Sequence, residues 1–437
     1  MARRPGRVLR RGRYVLHRLR RMERRRLAAL ACLAVLGLLL TSCLPMSCNG
    51  DKPRPWVQKP HLDDGSQPVM RVRLSGAAES ISLGASGGCR IVAGGRSVWS
   101  IAGALEPVSL RRDGAGWRIG EQAFAGGGAI EVIPAGQGIL RLGGTLYRGT
   151  LRLLPGPDGR FAVVNDVQME HYIAGVLARE LYRTWHPETY RALAITARSF
   201  ANYQHAMNAA EDFDVTDDQG SQVYGGYSAE SDLSRQAAED TWGQILICDS
   251  AAGQGLFLTQ YSAACGGVVN PAISLRDAGD LPPLRGGQIC NDCAACPKYR
   301  WPAVAIAKSD ILKAVALAYP TAARATSLQE IRPISGTSFG RIVWVDVVGP
   351  GTSPIRLRAD DLRLALLRGA VPGAARLYSM NCAWRDTGSA IEFYGGRGFG
   401  HGVGLCQWGA QGKAVQGWTA RAILEFYYPG SRIHRLY

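Results

Sequence analysis

The stretch Asn165-Asp-Val-Gln-Met-Glu-His-Tyr-Ile-Ala-Gly-Val-Leu-Ala-Arg-Glu180 follows Phe161-Ala-Val-Val and leads into His186-Pro-Glu188. A short run rich in β-branched residues therefore feeds a segment of helix formers, and the spacing predicts a helix over 168–180. A second helix is predicted from Pro187, because proline suits the first helical position and Glu188 the positive end of the helix dipole. Leu193, Ala194, Ala197, Phe200 and Ala201 then recur at helical spacing as one buried face. Working outward, the pattern predicts a helix over 233–242, a strand over 245–248, and helices over 308–317, 359–367 and 419–427, the last closed by Pro429-Gly430. Residues 149–437 thus read as a mixed α+β domain.

On the N-terminal side the pattern changes. From Val69 apolar and polar residues alternate, and short runs follow at 81–83, 89–93, 97–101, 129–133 and 138–142, separated by Gly-rich turns. Residues 69–148 therefore read as a small β-rich region, either an independent module or part of the sheet of the domain after it. Residues 44–68 are rich in Pro, Asp, Lys and Gly without periodicity and read as a flexible tether.

The net charge of +16 raises the question of nucleic acid, and its location answers it. Residues 1–26 carry twelve arginines against one glutamate, so the head supplies eleven of those charges. A basic head before an apolar run is the layout of an export signal. No helix-turn-helix, zinc-finger or RNP pattern supports a nucleic-acid reading. The apolar run from Leu27 ends in Leu40-Thr41-Ser42-Cys43, which resembles a bacterial lipobox with Cys43 as the lipidated residue. The run is shorter than the roughly 20 residues of a spanning helix; an uncleaved anchor is the alternative. Either way the chain is expected outside the cytoplasmic membrane and attached to it through residues 1–43.

Export changes the reading of the cysteines. Eight of the eleven lie beyond residue 60, and an even number in an oxidising compartment favours disulfides. The alternative is a structural zinc on Cys265, Cys290, Cys293 and Cys296, since four thiolates suit a tetrahedral ion. No cofactor is otherwise required.

The segment Asn165–Glu180, with Trp185-His-Pro-Glu188 and Tyr190-Arg-Ala-Leu-Ala-Ile-Thr-Ala-Arg-Ser-Phe-Ala201, resembles the SpoIID/LytB family. Ser221-Gln-Val-Tyr-Gly-Gly226, Gly398-Phe-Gly-His-Gly-Val-Gly-Leu-Cys-Gln-Trp-Gly-Ala410 and Ala422-Ile-Leu-Glu-Phe-Tyr-Tyr-Pro-Gly430 match in the same order. The resemblance implies an α+β catalytic domain with a glycan groove. It further implies a peptidoglycan lytic transglycosylase that cleaves strands already stripped of peptides by an amidase. Other family members are named amidase enhancers, so a non-catalytic glycan-binding partner of an amidase is the competing reading.

Glu180 matches the family's catalytic glutamate. Breaking a glycosidic bond requires a proton at the leaving oxygen, and an acid serving at neutral pH needs a raised pKa, which Leu177, Leu181 and Trp185 could supply by burial. Without the resemblance, Glu180 reads as a surface residue pairing with Arg183. Where the family has Met-Pro after the glutamate, this chain has Leu181-Tyr182. The resemblance also implies substrate contacts for Arg198, Gln222, Tyr224, His401, Gln407 and Trp408, with a buried ion pair as the alternative for Arg198. Some members carry two cysteines where Thr216 and Ser221 stand here. An ordinary muramidase would need a second carboxylate, for which Glu188, Asp217 and Asp218 are the nearby candidates.

Overall fold

A computed structural model of the chain describes residues 56–58, 66–250, 253–275 and 281–437. The proposed signal, Cys43 and most of the tether lie outside these residues. Strand Val69–Ala78 buries Met70 and Val72 and turns Arg71 and Arg73 toward the opposite face. It pairs antiparallel with Phe161–Gln168, setting Val72 opposite Asn165, and parallel with Val215–Thr216. The sheet continues through Thr150–Pro155, Ile130–Pro134, Cys89–Ala93 and Arg96–Ile101, making seven strands. Strands from either side of residue 149 therefore share one sheet. A six-stranded sheet built around Ser80–Ala85 and Leu105–Asp113 shares a core with it, through Leu83, Leu110, Trp117 and Ile119 against Ile91, Val132, Leu151 and Phe161.

Helix α1 (Met169–Glu180) leaves strand Phe161–Gln168 without an intervening loop, and Met169 through Leu177 are buried apart from His171. Helix α2 (Pro187–Met207) opens as its sequence requires. The His186 Nδ1 atom accepts the Glu188 N–H at 3.2 Å, and Pro187 occupies the first turn. Helix α3 (Asp232–Asp240) begins with a reciprocal capping box between Ser231 and Ser234. Helix α2 lies on a four-stranded sheet of Trp56–Gln58, Gly253–Phe257, Gln244–Ser250 and Ser431–Arg435, where the Leu246 N–H donates to Ser199 Oγ at 2.7 Å. Trp56–Gln58 falls within the stretch read as tether. Its Trp-Val-Gln sequence favours a strand, and edge pairing with Gly253–Phe257 satisfies its backbone.

A separate apolar core lies between residues 301 and 393. There α4 (Lys308–Ala318) and α5 (Ala359–Arg368) pack with two three-stranded sheets. The remaining α-helices among the described residues are a single turn at Gly226–Ala229, then α6 (Gln407–Val415) and α7 (Ala420–Tyr427). The mixed α+β class is as expected. Helix α6 was not: its glycines argue against a helix by propensity. They are required by packing, since a Cβ on Gly409 would meet Cys290 Sγ at 2.4 Å and one on Gly412 would meet Asp292 Cβ at 2.7 Å. Among the described residues no helix is long and apolar enough to cross a membrane.

Candidate active site

Glu180 is the last residue of α1. Leu181 turns the chain out of the helix into an extended conformation (φ −120°, ψ 151°), leaving the glutamate at the helix end, half-buried. Its Oε1 accepts the Val223 N–H at 3.2 Å and its Oε2 accepts an Nε2–H of Gln407 at 3.0 Å. The Tyr261 hydroxyl is a third donor. Burial pushes the carboxyl above the ordinary glutamate range, and the three donors hold back part of that rise. The negative end of the α1 dipole disfavours the anion further. The partners are those named, not Arg183. Leu177, Leu181 and Trp185 are buried in the core that contains α1 and α2.

Each donor is itself held. Strand Tyr261–Ser262 runs parallel to Leu405–Cys406, which places Tyr261 and Gln407 beside one another on the glutamate. Gln222 donates through Nε2 to the Tyr261 oxygen at 3.1 Å and accepts from the Tyr172 hydroxyl at 3.0 Å, so Tyr172, Gln222, Tyr261 and Glu180 form one chain of hydrogen bonds. The segment carrying Val223 is pinned by Tyr224, whose hydroxyl donates to Asn165 Oδ1 at 3.1 Å. Its ring packs against Gly175, where a Cβ would come within 2.6 Å.

Two expected substrate contacts, Gln222 and Tyr224, are therefore corrected, and for Arg198 the alternative of a buried ion pair holds. Gln222 and Tyr224 are buried behind the glutamate, with their polar atoms committed to Tyr172, Tyr261 and Asn165. Arg198 is fully buried and holds Glu170 with two bonds of 2.8 and 2.5 Å, while also donating to Gln244 O at 2.9 Å. These side chains position other groups and face no solvent.

Gln407 and Trp408 remain at the site. The Trp408 ring meets Trp185 at 5.1 Å and Tyr182 at 5.9 Å, and Tyr182 meets Trp185 at 5.2 Å. Tyr182 and Trp185 follow Glu180 closely in sequence, Trp408 follows Gln407, and Tyr182 is 60% exposed. Sequence reading treated Tyr182 only as a departure from Met-Pro. Tyr261 was also missed, because it lies outside the quoted motifs; its place before Ser-Ala-Ala-Cys265 gave no signal of its own.

His401 sits in a loop where Gly398, Gly400, Gly402 and Gly404 all have positive φ, between 68° and 90°. Such alternation is open to glycine and strained for any other residue. The His401 Nδ1 accepts the Val403 N–H at 3.0 Å, so a neutral ring carries its proton on Nε2. Of the candidate second carboxylates, Glu188 pairs with Arg191 and accepts the Ala420 N–H at 2.6 Å. Asp218 accepts from Thr216 Oγ1 and the Gly220 N–H, both at 2.8 Å. Asp217 is pushed up to about 7 by burial and by Asp218.

The cysteines depart from both expectations. None of the eight described cysteines is in a disulfide. Cys265, Cys290, Cys293 and Cys406 bring their Sγ atoms within 4.8 Å of one another, and Cys406 stands where Cys296 was expected. Cys406 enters because the parallel pairing of Leu405–Cys406 with Tyr261–Ser262 brings it next to Cys265, while Cys296 lies beyond the Asn291–Ala295 turn. Thr216 and Ser221 bond one another through their hydroxyls at 3.3 Å.

Comparison with known proteins bears on the same residues. Residues 157–247 match the family model SpoIID, described as Stage II sporulation protein. That span holds Tyr172, Glu180, Gln222 and Val223, and excludes Tyr261 and the 398–410 loop. An uncharacterized protein of Brachyspira hyodysenteriae is 31% identical over 295 residues, covering 66% of this chain and 72% of that protein. Stage II sporulation protein D of Bacillus subtilis is 27% identical over 62% of this chain and 75% of its own length. The protein named Amidase enhancer from the same organism is 24% identical over 60% of this chain and 40% of its own.

Proposed function

The chain belongs to the SpoIID/LytB family, and we propose that it is a lytic transglycosylase cleaving peptide-stripped peptidoglycan strands with Glu180 as acid and then base. One observation carries the reading: a carboxyl with a raised pKa, gripped by Val223, Gln407 and Tyr261, beside an aromatic trio. Protonated Glu180 donates to the glycosidic oxygen as the bond to the muramyl C1 breaks. The muramyl 6-hydroxyl then closes on C1, and its proton returns to the Glu180 carboxylate. No water is consumed, and the strand ends in a 1,6-anhydro sugar. One carboxyl therefore suffices, in keeping with the commitment of Glu188 and Asp218 to other partners.

The three donors to Glu180 hold the carboxylate in one orientation during its moment of negative charge. Tyr182 and Trp408 offer ring faces for stacking against sugars, with Trp185 buried behind them, and His401 stands as a polar contact. On this reading the protein acts in the cell envelope, held at the membrane by lipidated Cys43 or an uncleaved anchor. An amidase would supply its peptide-free strands.

The test is to incubate the protein and Glu180→Gln with peptide-free glycan strands and identify products by mass spectrometry. Anhydromuramyl ends from the native protein alone are expected. Reducing ends would overturn transglycosylation in favour of hydrolysis, with Asp217 as the base to test. Strand binding with no cleavage would leave a non-catalytic amidase enhancer.

A further inference from the structure

Outside the Glu180 site, the described residues bring four thiols together at one point. Cys265, Cys290, Cys293 and Cys406 are each fully buried, and they come from three segments far apart in the chain. We propose that these four cysteines bind one zinc ion as a structural tetrathiolate centre that fixes the junction carrying Gln407.

Geometry is the first support. Zinc–thiolate bonds of about 2.3 Å in a tetrahedron place the sulfurs roughly 3.8 Å apart. Cys265 Sγ and Cys293 Sγ lie 3.7 Å apart, and each of the four sulfurs lies within 4.8 Å of the other three. A pair of disulfides would sort the sulfurs into two close couples; here they converge as a group of four. Cys290 and Cys293 also have the Cys-x-x-Cys spacing that lets one tight turn present two thiolates to one ion. That turn is the short helix Asn291–Ala295.

The surroundings fit a centre with a net charge of −2. Ligation forms four Zn–S bonds and releases the thiol protons to solvent. Cys406 Sγ accepts the backbone N–H groups of Cys265 at 3.3 Å and Gly409 at 3.4 Å, and it caps the positive end of α6. The Tyr427 hydroxyl lies 3.1 Å from Cys290 Sγ. Gly409 itself is explained: any side chain there would collide with Cys290 Sγ and the Tyr427 hydroxyl.

The consequence reaches the glutamate. Cys406 immediately precedes Gln407, whose amide holds Glu180, and Cys265 closes the segment that begins with Tyr261. The ion would therefore clamp together the two strands that deliver two of the three donors. It touches neither substrate nor the reacting atoms, so its role is positioning.

The experiment measures metal in the purified full chain by plasma mass spectrometry and maps thiols by alkylation without reductant. One zinc per chain is expected, with all four thiols alkylated once the protein is unfolded in chelator. Cobalt substituted into the native protein should show the visible bands of a tetrahedral tetrathiolate, a readout that requires no variant. Cys296→Ser should keep the metal, Cys406→Ser should lose it, and Glu180→Gln should keep it whether or not the cleavage reading holds. Absence of metal, with the four thiols either free or paired, overturns the proposal, as does iron in place of zinc.

Discussion

Glu180 combines features that a carboxylate avoids: burial, and the negative end of its own helix. Its pKa in the folded chain lies above its unfolded value, so the folded state binds the extra proton and stability falls as pH rises through the raised pKa. Below the unfolded value the two states are protonated alike and nothing is lost. Glu180→Gln should therefore unfold at a higher temperature than the native protein at neutral pH, with the gap closing at acid pH in thermal melts. The same change should lower strand cleavage by roughly 10²–10⁴-fold, the usual span of general acid–base catalysis. Gln407→Ala removes a donor that favours the anion, so the alkaline limb of the kcat/KM profile should move to higher pH. Both residues were legible in the sequence as chemically apt groups at motif positions. For Arg198 the sequence left two readings, a substrate contact and a buried ion pair, because a motif position gives no direction for the side chain. It points inward to Glu170, and Arg198→Ala should cost about 3–5 kcal/mol in urea denaturation by leaving that carboxylate buried and unpaired. A substrate contact would instead raise KM and leave the midpoint alone.

Elements were legible where local pattern and tertiary environment agree. Helix α2 follows its proline, its acidic first turn and its apolar face, and Cys89–Ala93 follows simple alternation. Helix α6 was hidden because its glycines serve close approach to the 290–293 turn and to α7. The loop from Gly398 to Gly404 shows the converse. Its alternating glycines were plain in the sequence, but the reason, positive φ at every second residue, emerges only when the loop lies along residues 260–264. At Gly404 a Cβ would come within 1.9 Å of Gln260 O, in a conformation already strained for other residues. Gly404→Ala should thus destabilise by about 2 kcal/mol or more, read from the shift in denaturation midpoint.

At the scale of the molecule, the active site depends on a strand from residues 69–148, for which the sequence left open an independent module or a share in the sheet of the domain after it. Val69–Ala78 sits between Phe161–Gln168 and Val215–Thr216, and the segment leaving Val215–Thr216 carries Val223 to Glu180. Met70 and Val72 lie in the same core as Tyr172 and Leu177, each contributing about 1.5–3 kcal/mol by burial. Arg71 binds Asp214 through its backbone N–H at 2.8 Å and its Nε at 3.0 Å. Burial opposes ionisation of Asp214, yet bonds from His205 and Arg71 hold its pKa below the usual range. Removing Arg71 would leave that buried carboxylate at a cost of about 3–5 kcal/mol. Together these losses rival the 5–15 kcal/mol by which domains are stable at all. A fragment of residues 149–437 should accordingly lose the cooperative thermal transition and the near-ultraviolet circular dichroism of the whole chain, and cleave no glycan. Supplying residues 66–148 as a separate chain should restore both, since the missing strand completes the sheet. A fragment that melts cooperatively alone, within a few degrees of the whole protein, would show that the strand is dispensable and that Val223 is held by its own segment.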